Sequence, residues 1–118
     1  MVPGYYDILL RAGAKYERLL TITDSGSPVN WTGWSAKLEL MDRDGVVLDT
    51  ILSSELTGDR LELGGVLGTI RIYMPVTDVD ARIDDLVAGA GRYTLTMVPP
   101  SGVEDSDIYL IGALKVAR

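Results

Sequence analysis

Apolar residues recur at every second position through most of this chain, and that period predicts strands. In "SAKLELMD", residues 35–42, Ala36, Leu38 and Leu40 fall on one side, with Lys37, Glu39 and Met41 on the other. One apolar and one polar face is the mark of an antiparallel strand with a single side in the core. "LGTIRIYMP" repeats the pattern, opposing Ile70, Ile72 and Met74 to Arg71 and Tyr73, and "GRYTLTMVP" groups Tyr93, Leu95 and Met97. "DIYLIGALKVAR" aligns Ile108, Leu110, Leu114 and Val116. Gly112 falls on the same face, where a bulge or a close neighbour would explain it. "KYERLLTIT" assigns Tyr16, Arg18, Leu20 and Ile22 inward, with Arg18 laying its stem along the face and its charge in water. Shorter strands are expected at about residues 5–11, around Leu61 and Leu63, and over residues 46–52. The last follows "DRDG", an Asp-Gly hairpin signal. The pair Gly64 and Gly65, with Gly68, marks a tight reversal.

One segment departs from period two. In "VTDVDARIDDLVAG" the apolar residues Val76, Val79, Ile83, Leu86 and Val87 have helical spacing. Thr77 with Asp80 three residues later has the form of a capping box, Asp78 and Asp80 suit the positive end of the helix dipole, and Gly89 is placed to stop the helix. A short helix is therefore expected near residues 77–88. About seven to nine short strands with one helix point to an all-β sandwich or barrel, a single domain over residues 1–118.

Composition removes several kinds of chemistry. The 118 residues hold no cysteine and no histidine. Disulfides, thiolate metal sites, thiol catalysis and a Ser-His-Asp triad drop out, along with the commonest general base. The formal net charge is −6, and the eleven Lys and Arg are scattered singly, so nucleic acid is not an expected partner. "MVPGYYDILLRAG" lacks the basic and apolar regions of a signal peptide, and no apolar run is long enough to span a membrane.

Asp78, Asp80, Asp84 and Asp85 offer oxygens for a hard cation, but no loop folds them around a centre, so a solvated helix face is the better reading. "DRDG" lacks the third ligand and terminal Glu of a calcium loop. "LGGVLG" lacks the Lys-Ser/Thr and following helix of a phosphate cradle, and reads as a tight turn. "NWT" fits an N-glycosylation pattern without a secretory signal to go with it. No pair of acidic residues stands out for glycoside cleavage. No cofactor, metal or catalytic residue is therefore expected. The aromatics remain. Trp31 and Trp34 stand three apart at a strand entry, where extended geometry would turn them to opposite sides, one into the core and one outward. Tyr73 is expected to face out beside Arg71. Trp31, Trp34 and Tyr73 are the candidate interface residues.

The run "GSPVNWTGWSAKLEL" resembles the Gly-x-Pro-Val-Asp-Leu-Thr-Gly-(aromatic)-x-Ala-x-(apolar) stretch of small all-β structural proteins from tailed bacteriophages and prophages, of which the upper-baseplate N-terminal domain is one representative. "YDILLRAGAKYERLLTITD", "LGTIRIYMPVTDVDARI" and "GRYTLTMVPPSG" with "IYLIGALKV" resemble that family's opening, its strand followed by a short helix, and its closing strands. "NW" stands where Asp-Leu is more usual. The resemblance implies an Ig-like antiparallel β-sandwich. It also implies a non-enzymatic part of a virion, in the tail, baseplate or fibre-attachment region. The partners it implies are other tail, baseplate or fibre proteins; exposed strand edges make further copies of the chain a candidate partner, and charge and hydropathy point to neither nucleic acid nor membrane. A carbohydrate- or host-surface-binding β-sandwich module is the alternative, resting on the exposed aromatics.

Overall fold

A computed structural model of the chain describes residues 4–86 and 90–117. The strands are β1 (Gly4–Tyr5), β2 (Ile8–Arg11), β3 (Tyr16–Thr21), β4 (Thr23–Asp24), β5 (Ser27–Pro28), β6 (Ser35–Asp42), β7 (Val47–Leu52), β8 (Arg60–Leu63), β9 (Thr69–Met74), β10 (Ala90–Val98) and β11 (Asp107–Ala117). One α-helix, α1 (Val76–Asp85), lies between β9 and β10. The larger sheet has the order β1-β11-β10-β6-β7, with β2 also on β11; the smaller is β3-β9-β8; β4 and β5 form a ribbon. The fold is thus mostly β, with one short helix among the described residues. Eleven strand segments exceed the seven to nine expected. The "DSGSP" turn contains the ribbon, and the first expected strand is broken in two.

The inward rows of the two sheets meet in one buried cluster. In the larger sheet, Leu38 pairs in register with Ile51 and Leu95, and Leu95 with Leu110. The next row joins Leu40 to Tyr93 and Tyr93 to Gly112. Ile70, Ile72 and Met74 of β9 and Leu61 of β8 supply the facing surface, and all of these β8 and β9 side chains are buried. Alternation therefore placed the core correctly on β6, β8, β9 and β10. It failed at Ile108, which is exposed. The β10–β11 register shifts between Leu95 and Thr96, so that Thr96 faces Ile108 and Tyr109 is the extra residue. A bulge of this kind reverses which side each later residue takes. On β3 Arg18 stands opposite the buried Ile72, on the face assigned inward, with its charge exposed near the Tyr6 ring at 5.6 Å.

The helix begins one residue earlier than its sequence signal. Pro75 is the N-cap, with extended backbone, and the Val79 amide donates to its carbonyl at 3.0 Å. Thr77 is thereby inside the first turn, and no side chain caps the helix, so the capping box is not formed. Val79, Ile83 and Leu86 are buried as the spacing required. Val87 and the stop signal Gly89 lie outside the described residues.

The larger sheet is mixed rather than antiparallel. β1 and β2 run parallel to β11, with Gly4 opposite Leu110 and Ile8 opposite Leu114. No hairpin joins these two ends of the chain, so nothing imposes the antiparallel sense. Between β1 and β2 the ladder opens at Tyr6 and Asp7. The Tyr6 amide still donates to the Ile111 carbonyl at 3.0 Å, but the Ala113 amide donates to the Asp7 side chain at 3.2 Å. The Tyr6 carbonyl turns instead to accept from the Tyr93 hydroxyl. It passes so close to Gly112 that a Cβ there would stand 2.0 Å from that oxygen. Gly112 is on the inward face because only hydrogen leaves room for the crossing backbone.

Gly112→Ala is expected to lower stability by about 1–3 kcal/mol, the usual cost of overpacking, read as a lower urea midpoint. It should also strip hydrogen-exchange protection from the Tyr6 amide. An unchanged midpoint and unchanged protection would refute the crossing.

Candidate functional site

The "PVNWTGW" run is a turn docked on another turn. The Trp34 amide donates to the Trp31 carbonyl at 3.0 Å, and Gly33 has φ +81°, the positive third-position φ of a type II turn. The Asn30 side chain accepts from the Thr32 amide at 3.0 Å, a local Asx bond. The Trp31 amide donates to the Gly65 carbonyl at 2.8 Å, and Ile22 donates to Gly68 at 2.9 Å. The loop is thus anchored at the end of the small sheet opposite α1.

This geometry overturns the expectation that the two tryptophans face opposite ways. A turn, not an extended strand, separates them, so both rings lie on one side. They meet edge to face at 5.0 Å, and Tyr109 joins them at 5.5 Å from Trp31 and 6.4 Å from Trp34. Trp31 is 1% exposed and Trp34 is half-buried. The Trp31 indole N–H is buried without a hydrogen-bond partner among the described residues. The bulge that turns Ile108 out brings Tyr109 in, where burial raises its phenol pKa. Sequence period gave no sign of that residue's part.

Tyr73 lies on the outer face of the small sheet, as expected, but its ring is not bare. The guanidinium groups of Arg60 and Arg71 lie 4.5 and 5.0 Å from its centroid. Arg71 also pairs with Glu17 on β3 and, at 2.6 Å, with Glu62 on β8. Glu62 pairs with Arg60 at 3.2 Å, and its carboxyl pKa is lowered, chiefly by Arg71 and next by Arg60. The outer face of the small sheet is therefore a charged ladder across three strands, with Leu19 as its exposed apolar member.

The outer face of the larger sheet differs in kind. Tyr5 is opposite Ile111, and Ile111 opposite Thr94; Met41 pairs with Arg92 and Val47. Tyr5 is 70% exposed, and Leu9, Val47, Ile108 and Ile111 are also exposed. A shallow depression of about 540 Å³ opens there, with Tyr5, Met41, Arg92, Thr94, Ile111 and Ala113 in its lining.

The acidic residues of α1 do not converge. Asp78 accepts from the Asp59 amide at 3.2 Å, Asp80 accepts from the Gly13 amide at 2.9 Å, and Asp85 pairs with Arg82 at 3.3 Å. No group of three or more potential ligands is arranged for a metal ion among the described residues. A different carboxylate cluster forms instead. Asp49 takes the β7 position opposite the inward Leu40, which turns it toward Asp59 and α1. The Asp59 carboxyl is pushed up to about 7, first by burial, then by its hydrogen bond to Asp49 and the like charges of Asp49 and Asp78. Arg82 opposes the shift, and its guanidinium also donates to the Leu48 carbonyl, tying α1 to β7.

No protein-family model matches the chain, and no curated protein is significantly similar to it.

Two outcomes test this description. Trp31→Ala is expected to cost about 3–5 kcal/mol, the range for a buried aromatic. Trp34→Ala should cost on the order of 1–2 kcal/mol, from partial burial and a lost ring contact. Equal effects in chemical denaturation would contradict the burial order. For Asp59 the folded-state pKa is above the unfolded value of 3.8, so the fold binds the proton more tightly. Its contribution is greatest below pH 4 and is lost as pH rises through about 7. Wild type should therefore lose stability relative to Asp59→Asn between about pH 4 and 7 and run parallel to it above that. Parallel pH profiles for the two proteins would count against the shift. Asp7 and Glu62 have lowered pKa values, act in the opposite sense at lower pH, and cancel in this comparison.

Proposed function

We propose that this chain is a non-enzymatic structural component of a phage or prophage virion, in the tail, baseplate or fibre-attachment region. In this reading it has an Ig-like β-sandwich fold and acts through protein–protein assembly. The observation that carries the reading is the contrast between the two outer faces. On the small sheet, Glu17, Arg71, Glu62 and Arg60 pair with one another. On the large sheet, Tyr5, Ile111, Ile108 and Leu9 stay exposed. An apolar surface ringed by polar residues is the usual anatomy of an assembly contact.

Strand order supports the Ig-like assignment. The series β3-β9-β8 follows the B-E-D order of an Ig sheet, and β11-β10-β6-β7 follows G-F-C with an added C′ strand. The phage resemblance of "GSPVNWTGWSAKLEL" supports the virion setting. Against glycan stacking, Trp31 has its ring in the core and Tyr73 is covered by two arginines. That leaves Trp34 as the aromatic of the expected three with ring surface to offer.

Mass spectrometry of particles purified from an induced culture of the encoding bacterium should detect the protein, and its absence from the particles would refute the proposal. In a complemented deletion, the double variant Tyr5→Ser with Ile111→Asp should keep the wild-type melting temperature to within a few degrees. It should nevertheless be lost from particles; incorporation at wild-type level would remove the large sheet's outer face from the assembly contact.

A further inference from the structure

The start of β3 and the end of β2 flank a second concavity, of about 230 Å³. Arg11, Lys15 and Arg18 all line it. None of the three has a carboxylate partner among the described residues, although the protein carries a net charge of −6. Two carboxylates also border the concavity, and both are engaged elsewhere. Asp7 pairs with Lys115 at 2.8 Å and accepts from the Ala113 amide at 3.2 Å, and Glu17 pairs with Arg71. With Asp7 and Glu17 already paired to other cations, three basic side chains without a carboxylate partner give this hollow a local positive field in an acidic protein.

The site is held in shape. The turn joining β2 to β3 is pinned from outside, because the Gly13 amide donates to Asp80 of α1 at 2.9 Å and the Ala12 amide to the Ala117 carbonyl at 2.9 Å. Arg18 is placed against the Tyr6 ring. Tyr16 contributes to the lining while only 8% exposed, and its hydroxyl is buried with no hydrogen-bond partner among the described residues. The Arg18 guanidinium lies close enough to that hydroxyl to influence its ionisation. Preorganised donors lose less freedom on binding than free surface side chains do.

We propose that this concavity binds a carboxylate group, with Arg18 as the principal contact and Arg11 and Lys15 supplying further charge. An arginine fork matches a carboxylate in two parallel hydrogen bonds. Asp7 and Glu17 keep negative charge at the rim, which penalises a phosphate dianion more than a carboxylate monoanion. The hollow has room for the carboxylate and a short chain behind it, as on a glutamate side chain. This site does not rest on the virion reading.

The test is an NMR titration of the ¹⁵N-labelled full chain with N-acetylglutamic acid α-amide, beside N-acetylglutamine amide and inorganic phosphate. The glutamic probe should give saturable shifts at the Gly13, Lys15 and Arg18 amides, and the glutamine probe none. Binding should weaken about tenfold in Arg18→Gln, the loss of one charge-assisted pair. It should weaken measurably in the exposed variant Lys15→Gln, whose fold is not at issue, and be unchanged in Lys37→Gln. Raising the salt from about 0.02 to about 0.2 M should weaken it several-fold. The proposal is overturned by no saturable shift, by equal shifts with the glutamine probe, by tighter binding of phosphate, or by an effect of Lys37→Gln as large as that of Lys15→Gln.

Discussion

The contact between the Tyr93 hydroxyl and the Tyr6 carbonyl, made over the bare Cα of Gly112, governs how the two ends of this chain meet. It is a long-range constraint between an inward residue of a central strand and the backbone of the first segment. Because the Tyr6 carbonyl turns inward, its place in the ladder is left open. The Asp7 carboxylate fills it by taking the Ala113 amide, and Lys115 holds that carboxylate from the other side. β1 and β2 can then add in parallel to β11 on either side of the break. Burial raises the Tyr93 phenol pKa above its ordinary value, so the hydroxyl stays a donor at any ordinary pH.

Much of the surface character follows from that closure. Laying β1 along β11 sets Tyr5 beside Ile111 and extends the apolar outer face of the large sheet. Laying β2 there sets Arg11 near the start of β3, and the turn between them is steadied by Asp80. The small sheet solves its solvent exposure differently. Its central Arg71 reaches carboxylates on both neighbours, so the face is satisfied by the protein itself. Exposed pairs of this kind add little stability one by one, but they leave little apolar surface for a partner.

The end of the molecule beneath α1 carries the opposing tension. Asp49 and Asp59 come together with Asp78 nearby, and Arg82 is the cation that moderates them. Protonation of Asp59 relieves the repulsion at low pH, and near neutral pH the cost returns. The helix is held there by Val79, Ile83 and Leu86 in the core and by Arg82 on the Leu48 carbonyl, with no side-chain cap at its N-terminus. Packing, and not local capping, keeps it in place.

Alternation by itself determined the all-β character and the core rows of β6, β8, β9 and β10. Side-chain direction in a strand has a strict period of two, so Leu38, Leu40, Ile70, Ile72, Leu95 and Met97 could be assigned inward from the sequence. Helical spacing determined α1 to within a residue at its start. The hairpin at "DRDG" was legible for a local reason: Asp42 accepts from the Asp44 and Val46 amides, and Gly45 takes φ +87°. In three places a bulge, a turn or a cap broke the pattern that period and spacing predicted. One extra residue at Tyr109 reversed Ile108, the turn at Gly33 put Trp34 against Trp31, and Pro75 displaced Thr77 from the cap. The carboxylate pairing of Asp49 with Asp59 and the grouping of Arg11, Lys15 and Arg18 needed strands from different parts of the chain to be brought side by side. Period and turn chemistry act over a few residues. Register, bulges and the closing of the two chain ends are decided by packing between distant segments, and only the tertiary structure contains them.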